Sequence, residues 1–339
     1  MTSLAPAPPT APRTPATAPR LTRWLLRLHR PALSVWTALV LLLSAALLWM
    51  GGPLTDAAAE AWARYNACGG AAGCNYDQPA IIRYKEIYSV TTFAIPALPL
   101  LVAAWAGATL TSRELETGTA QLTWAQSVSP VRWLTARLAL PAVLVALGTG
   151  LLVTLHHLAW SAGDGRIDTA KSWSDFPTFY AGGPLTVALA LAALAVGALV
   201  GLLWRRSLPS LAGSVLATGA VAAAVHTALP HLWSGVTQTS TRAEGAPSGT
   251  GIAIDEGIVT STGTRLADPR CGGEYFPDCR AAYDRLDAVG YFREYHPVSH
   301  YWPLQLTATA LTLGITALLV LAAFRVLRAR TAAGPRTTG

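Results

Sequence analysis

Six stretches of the chain, 31–55, 87–112, 138–163, 176–204, 207–241 and 295–324, contain no Asp, Glu, Lys or Arg. Each is long enough to cross a bilayer, which takes about 17–25 mostly apolar residues per helix. A soluble core could hide one such stretch but not six. Charged residues make up only 13% of the 339, about half the usual soluble share. The reading is an all-α polytopic membrane protein with six transmembrane helices, expected at about 33–50, 88–110, 138–160, 183–204, 208–229 and 304–325.

A net charge of +7 could point to nucleic acid, but its distribution points to a membrane. With the N-terminus in the cytoplasm, the inside segments hold 14 Arg/Lys against 2 Asp/Glu, and the outside segments 11 against 16. That asymmetry follows the positive-inside rule. It implies a multi-pass cell-membrane protein with both termini cytoplasmic. No soluble segment carries the basic stripe with interleaved aromatics that nucleic acid requires.

The cysteines fit this orientation. All four, Cys68, Cys74, Cys271 and Cys279, fall in segments placed outside, where an oxidising compartment favours disulfides. Four cysteines allow three pairings, and the sequence does not choose among them. Neither close pair has Cys-x-x-Cys spacing or a neighbouring histidine, which argues against a metal site.

Residues 1–19 are Pro-, Ala- and Thr-rich and read as a disordered cytoplasmic tail. No cleavable signal peptide is expected, because no small-x-small site follows the first apolar run. Residues 20–32 read as an amphipathic elbow helix on the inner membrane surface. Arg20, Arg23, Arg27 and Arg30 share one face, and Leu21, Trp24, Leu25 and Leu28 the other. Helices one to five then fill 33–229, with external loops at 51–87 and 161–182. A small disulfide-stapled extracellular domain is expected at 230–303, the sixth helix at 304–327 and a cytoplasmic tail at 328–339. Within that domain 234–264 shows no clear pattern, while 280–289 looks helical.

The spans carry packing signals more than chemistry. Gly197-Ala-Leu-Val-Gly201 permits close approach of two helix backbones. The Ala/Gly-rich fifth span is expected to be buried among the others. Trp49, Trp160, Trp233 and Trp302 near one interface, and Trp36 and Trp204 near the other, read as anchors. His156, His157 and His226 are expected to meet water or headgroups near the outer interface.

The cytoplasmic loop at 111–137 is more structured. Thr111 and Glu114 have capping-box spacing, Gly118 permits a tight turn, and Ser129-Pro130 reads as a helix start. Such an elbow suits docking to a cytoplasmic partner, with Glu114 and Glu116 available to basic residues there. Neither lysine, Lys85 or Lys171, follows a glycine, so the chain has no phosphate loop and cannot hydrolyse ATP by that route. His-Glu-x-x-His and Gly-x-Ser-x-Gly motifs are missing too. The reading is of a chain that is not an enzyme and holds no cofactor or metal. The uncharged mid-membrane argues against an ion-coupled carrier or an intramembrane enzyme.

Two runs resemble a known family. Ser112-Arg-Glu-Leu-Glu-Thr-Gly-Thr119, then Leu122-Thr-Trp-Ala-Gln-Ser-Val-Ser129 and Arg132-Trp-Leu134, are similar to actinobacterial permease subunits of the type-2 ABC exporter class. Tyr295-His-Pro-Val-Ser-His-Tyr-Trp-Pro-Leu-Gln305 resembles the run before the family's last span, departing from it at His296, Val298 and His300. The resemblance implies a membrane-spanning permease subunit that pairs with a separate ABC ATP-binding subunit, which binds ATP and Mg. It also implies a second permease, as copy or paralogue. By that resemblance Arg113, Glu114, Glu116, Gly118, Thr119, Gln126, Ser129 and Arg132 couple the permease to the ATPase. The competing reading is a non-transporting membrane sensor or immunity protein whose external domain binds a ligand.

Overall fold

The computed structural model describes residues 30–69, 75–125, 128–167, 171–269 and 277–332. Six of its helical stretches are long and apolar enough to cross a membrane. Four of them outrun the uncharged segments that announce them, while Leu185–Trp204 and Ser207–His231 lie within theirs. The stretch Pro130–Gly163 has 34 residues, about 51 Å at 1.5 Å per residue, against an apolar bilayer core of about 30 Å. In those four, residues with charged side chains continue the helix past the apolar stretch.

Helix α1 (Arg30–Trp49) passes through a π-helical turn at Met50–Leu54 into α2 (Thr55–Ala67). Gly52 leaves helical geometry there and Pro53 offers no N–H, which kinks the stretch. Arg30, Pro31 and Ala32, expected in the elbow helix, are instead the first turn of α1, where a proline costs no hydrogen bond. The rest of the expected elbow, 20–29, lies outside the described residues, as do 1–19 and 333–339, whereas 328–332, expected in the C-terminal tail, instead end the last helix.

Helix α3 (Gln78–Thr109) starts on Asp77, whose carboxylate accepts from Ala80 N at 3.1 Å. Two short helices follow, α4 (Ser112–Glu116) and α5 (Thr119–Ala125). Then come α6 (Pro130–Gly163), the short α7 (Phe176–Ala181), α8 (Leu185–Trp204) and α9 (Ser207–Ala228).

The central helix is α8, which packs on α3, α6, α9 and the last helix. It is apolar on every face, as a helix surrounded by others must be. Gly197 lets it approach α3 and Gly201 the start of α4: a Cβ on Gly197 would lie 2.8 Å from Gly107 N, and one on Gly201 3.1 Å from Ser112 N. The expectation of a buried fifth span is corrected here. Only Ser210, Ser214, Thr218 and Val225 of α9 are buried, while Leu208 and Leu216 point outward. Its small polar stripe packs on α3 at Gly107, and its leucines suffice for a lipid-facing side.

The all-α expectation also fails, in the segment between α9 and the last span. Strands β1 (Val236–Thr241), β2 (Ile252–Thr260) and β3 (Arg265–Ala267) precede helix α10 (Pro277–Arg285) and strand β4 (Ala288–His296). They form one antiparallel sheet in the order β1-β4-β2-β3. The expected helix at 280–289 stops at Arg285 because Asp287 takes a positive φ of 50° and turns the chain into β4. Helix α11 (Tyr301–Ala332) completes the bundle.

The bundle thus has two distinguishable ends. The α4–α5 loop, the α8–α9 turn and the end of α11 meet at one, the loop end. The other, the sheet end, gathers α2, α7 and the sheet.

Candidate functional site

At the loop end, α4 and α5 are held against three spans by polar contacts that begin with two carboxylates. Glu114 bonds through Oε1 to Arg137 Nη2 and accepts from Trp133 Nε1 through Oε2 at 3.0 Å. Arg137 also donates from Nη1 to Leu110 O at 3.1 Å, and its guanidinium carbon lies 5.5 Å from the centre of the Trp133 ring. Trp133 and Arg137 are one turn apart on α6, so both reach the same carboxylate. The pair is enclosed: the Arg137 side chain is 1% exposed and that of Glu114 14%.

Glu116 reaches a different helix. Its Oε2 accepts from Ser207 N at 2.9 Å and Ser207 Oγ at 2.6 Å. Residues in the first turn of a helix have backbone N–H groups without intrahelical partners. No side chain of α9's own cap residue serves Ser207, and Glu116 supplies both the acceptor and the negative charge favoured at a helix N-terminus. On the other side of this turn, Arg330 bonds to Leu202 O and Leu203 O, closing the C-terminus of α8. Between them Arg205 adopts a left-handed conformation with φ 56°.

The carboxylates were expected to face basic residues on a partner, and both are instead engaged within the chain. The capping box expected from Thr111 and Glu114 does not form either. Thr111 Oγ1 donates to Ala198 O at 3.1 Å, which ties the start of α4 to α8. Ser129 does cap α6, accepting from Arg132 N at 3.3 Å with Pro130 in the first turn. Gly118 turns the chain between α4 and α5 at φ +75°. Gln126 lies outside the described residues.

The elbow's exposed surface holds Glu116 and four more of the residues expected to couple. Arg113, Thr119, Ser129 and Arg132 are exposed, and Leu122 of α5 is 64% exposed although it is apolar and lies at a membrane end. Arg137, Trp133, Ser207 and Leu122 are not among the residues assigned to coupling from the sequence, although Trp133 and Leu122 lie in the runs that carry the resemblance. A signal existed for the first two, since Trp133-x-x-x-Arg137 places an indole and a guanidinium on one helix face just before an uncharged stretch.

At the sheet end, His156 is fully buried and its Nε2 lies 2.8 Å from Thr92 Oγ1, contrary to the interfacial expectation. Its depth is compensated by that hydroxyl. His157 stacks on Tyr301 at 5.7 Å, and His226 is exposed beside Phe176. Cys68 ends α2 and Cys279 is buried beside Ile258, Tyr283 and Tyr291. Cys74 and Cys271 lie outside the described residues. No group of His, Cys, Asp or Glu among the described residues could hold a metal.

No curated protein and no solved structure matches the chain. Residues 37–231, which run from the first span through the α4–α5 elbow to the end of α9, match the family described as ABC-2 membrane transporter related, and the chain belongs to that family.

Proposed function

We propose that the chain is the permease subunit of an ATP-driven exporter. It forms the translocation path and receives work from a separately encoded ABC ATPase, which binds ATP and Mg. A second permease, a copy or a paralogue, completes the path. The elbow is the coupling element. The observation that carries this is its double attachment: Glu114 fixes it to α6 and Glu116 fixes it to α9. A force on α4 and α5 therefore moves two spans directly, and α8 through Thr111. Arg113, Thr119, Leu122, Ser129 and Arg132 form the outward surface. Leu122 is the apolar knob that a cleft on the ATPase would bury, and Arg113 and Arg132 its charged rim.

In this reading the loop end faces the cytoplasm, which agrees with the excess of Arg and Lys there. The sheet domain is extracellular, and its cysteines are oxidised. Labelling of single cysteines introduced at 242–290 from outside the cell tests the orientation. The coupling is tested by co-purification of full-length Leu122→Asp and Arg113→Glu with the native ATPase, together with its permease-stimulated hydrolysis. Both residues are exposed, so the variants are expected to insert and melt like wild type while losing at least tenfold in ATPase association. Unchanged association and stimulation would overturn the assignment.

A further inference from the structure

Three buried polar side chains at the sheet end surround one small cavity. His156 of α6, Trp173 of the segment before α7, and Tyr301 at the start of α11 all line a space of about 10 Å3, together with Thr178 and Gly182. Their relative exposures are 0%, 4% and 7%. His156 Nδ1, Trp173 Nε1 and Tyr301 Oη are each buried with no hydrogen-bond partner among the described residues. Buried polar groups are nearly always paired, because an unpaired one keeps the full cost of leaving water. Three around one cavity are a built site.

Gly182 marks its centre. A Cβ at that residue would stand 3.1 Å from Tyr301 Oη, 3.3 Å from Thr178 O and 3.8 Å from His156 Nδ1. Its φ of −96° is open to any residue, so glycine is not required there by backbone conformation. What glycine provides is space between the polar atoms.

We propose that this cavity binds a single ordered water, which joins α6, the α7 turn and α11. A space of this size is at the lower limit for one ordered water. The chemistry points the same way. Trp173 Nε1–H can only donate, a carbonyl such as Thr178 O can only accept, and Tyr301 Oη can do either. A ligand that both donates and accepts serves all of them, and it also serves either tautomer of His156. A cation would find donor N–H groups among its neighbours, and an apolar atom would leave every polar group unpaired. The water extends a hydrogen-bonded run already present, from Thr92 of α3 to His156, and from Tyr88 of α3 to Thr178 Oγ1 at 2.9 Å. It sits where the chain leaves the sheet domain and begins the last span, beside Gln305, which donates to Phe179 O at 2.7 Å.

The test is a two-residue cycle on the full-length protein in detergent, read by thermal unfolding, with Tyr301→Phe, Gly182→Ala and both together. With a bridging water, Tyr301→Phe removes one of its partners and lowers Tm by roughly 2–4 °C. Gly182→Ala expels the water and also lowers Tm. In that background Tyr301→Phe becomes neutral or raises Tm, because the hydroxyl no longer has a partner to lose. An experimental density map should also show one solvent peak within hydrogen-bond distance of Tyr301 Oη and Thr178 O. Without a water, Tyr301→Phe in the wild-type background removes an orphaned hydroxyl and leaves Tm unchanged or higher, which overturns the proposal. An equal loss in both backgrounds, or a map without the peak, overturns it too.

Discussion

Arg137 of α6 and Glu114 of α4, 23 residues apart in sequence, form an ion pair whose guanidinium is closed off from solvent. The pair places charge at the boundary between the elbow and the spans. Desolvating two ions is costly, and the cost is met only when each keeps its partners. Trp133 Nε1 and Leu110 O add one each, while Arg137 Nε is buried without a partner among the described residues.

Removing one partner should therefore be worse than removing both. Glu114→Ala strands a buried guanidinium and is expected to cost about 3–5 kcal/mol. Glu114→Leu combined with Arg137→Met should recover most of that, as apolar replacements of buried pairs often do. Thermal unfolding of the three proteins in one detergent measures it. A double variant no more stable than Glu114→Ala would show that the ion pair is not the reason for the loss. Charge reversal at Glu114 is for the same cause a folding variant, and says nothing about partner docking.

The α8–α9 turn is strained at Arg205, which holds φ 56° without being glycine. Such a conformation costs of the order of 1 kcal/mol or more for a residue with a Cβ. Arg205→Gly is expected to leave stability unchanged or raise it by up to about 1 kcal/mol, whereas Arg205→Val should lower it. A valine variant as stable as wild type would contradict the left-handed assignment.

The elbow turn at Gly118 has the same backbone demand and no steric one, since a Cβ there meets nothing within 4 Å. Gly118→Val should reduce ATPase stimulation, and Gly118→Asn, which tolerates a positive φ, should retain most of it. Equal activities would mean that the turn does not need this conformation during coupling.

How far the sequence disclosed all this depends on the range of the interaction. The spans are visible because a membrane helix must be predominantly apolar whatever it packs against, so composition alone finds them. The sheet is not, because β1 is exposed along almost its whole length and β2 buries only Gly257, Ile258 and Thr260. β4 is largely buried but without alternation, so no strand shows a period of two to read, although Val236-Thr-Gln-Thr-Ser-Thr241 does have strand composition. At the elbow, Ser129 and Gly118 act on adjacent backbone and are legible. Glu114 and Glu116 act on α6 and α9, through pairings that no local spacing specifies. Their charge was visible, but their partners were not.

Cys279 is buried in the small cluster under β4, and Cys68 follows α2 at the same end of the bundle. Local loops, Cys68 with Cys74 and Cys271 with Cys279, would each add roughly 2–3 kcal/mol. Mass spectrometry of the non-reduced protein should find no free thiol. Links between the two segments would replace the local pairing with a bridge from the α2 loop to the sheet domain, and four free thiols would end the disulfide reading altogether.

The final prediction concerns the contact that aligns the bundle. Gly197 of α8 faces Ala106 and Gly107 of α3, and an added Cβ would lie 2.9 Å from Ala106 C, within backbone that cannot swing aside. Close approach of two helices in a membrane is driven by packing, because lipid tails offer no hydrophobic incentive to associate. Gly197→Val should therefore push α8 from α3. One turn on, it should disturb the Thr111–Ala198 bond that ties the elbow to α8. Overpacking of this kind costs about 1–3 kcal/mol. Gly219, whose Cβ would meet nothing within 4 Å, is the control: Gly219→Val adds the same side chain to α9 without a clash. Thermal unfolding and ATPase stimulation should both fall for Gly197→Val and stay near wild type for Gly219→Val. If the two variants behave alike, the α3–α8 contact does not set the position of the elbow.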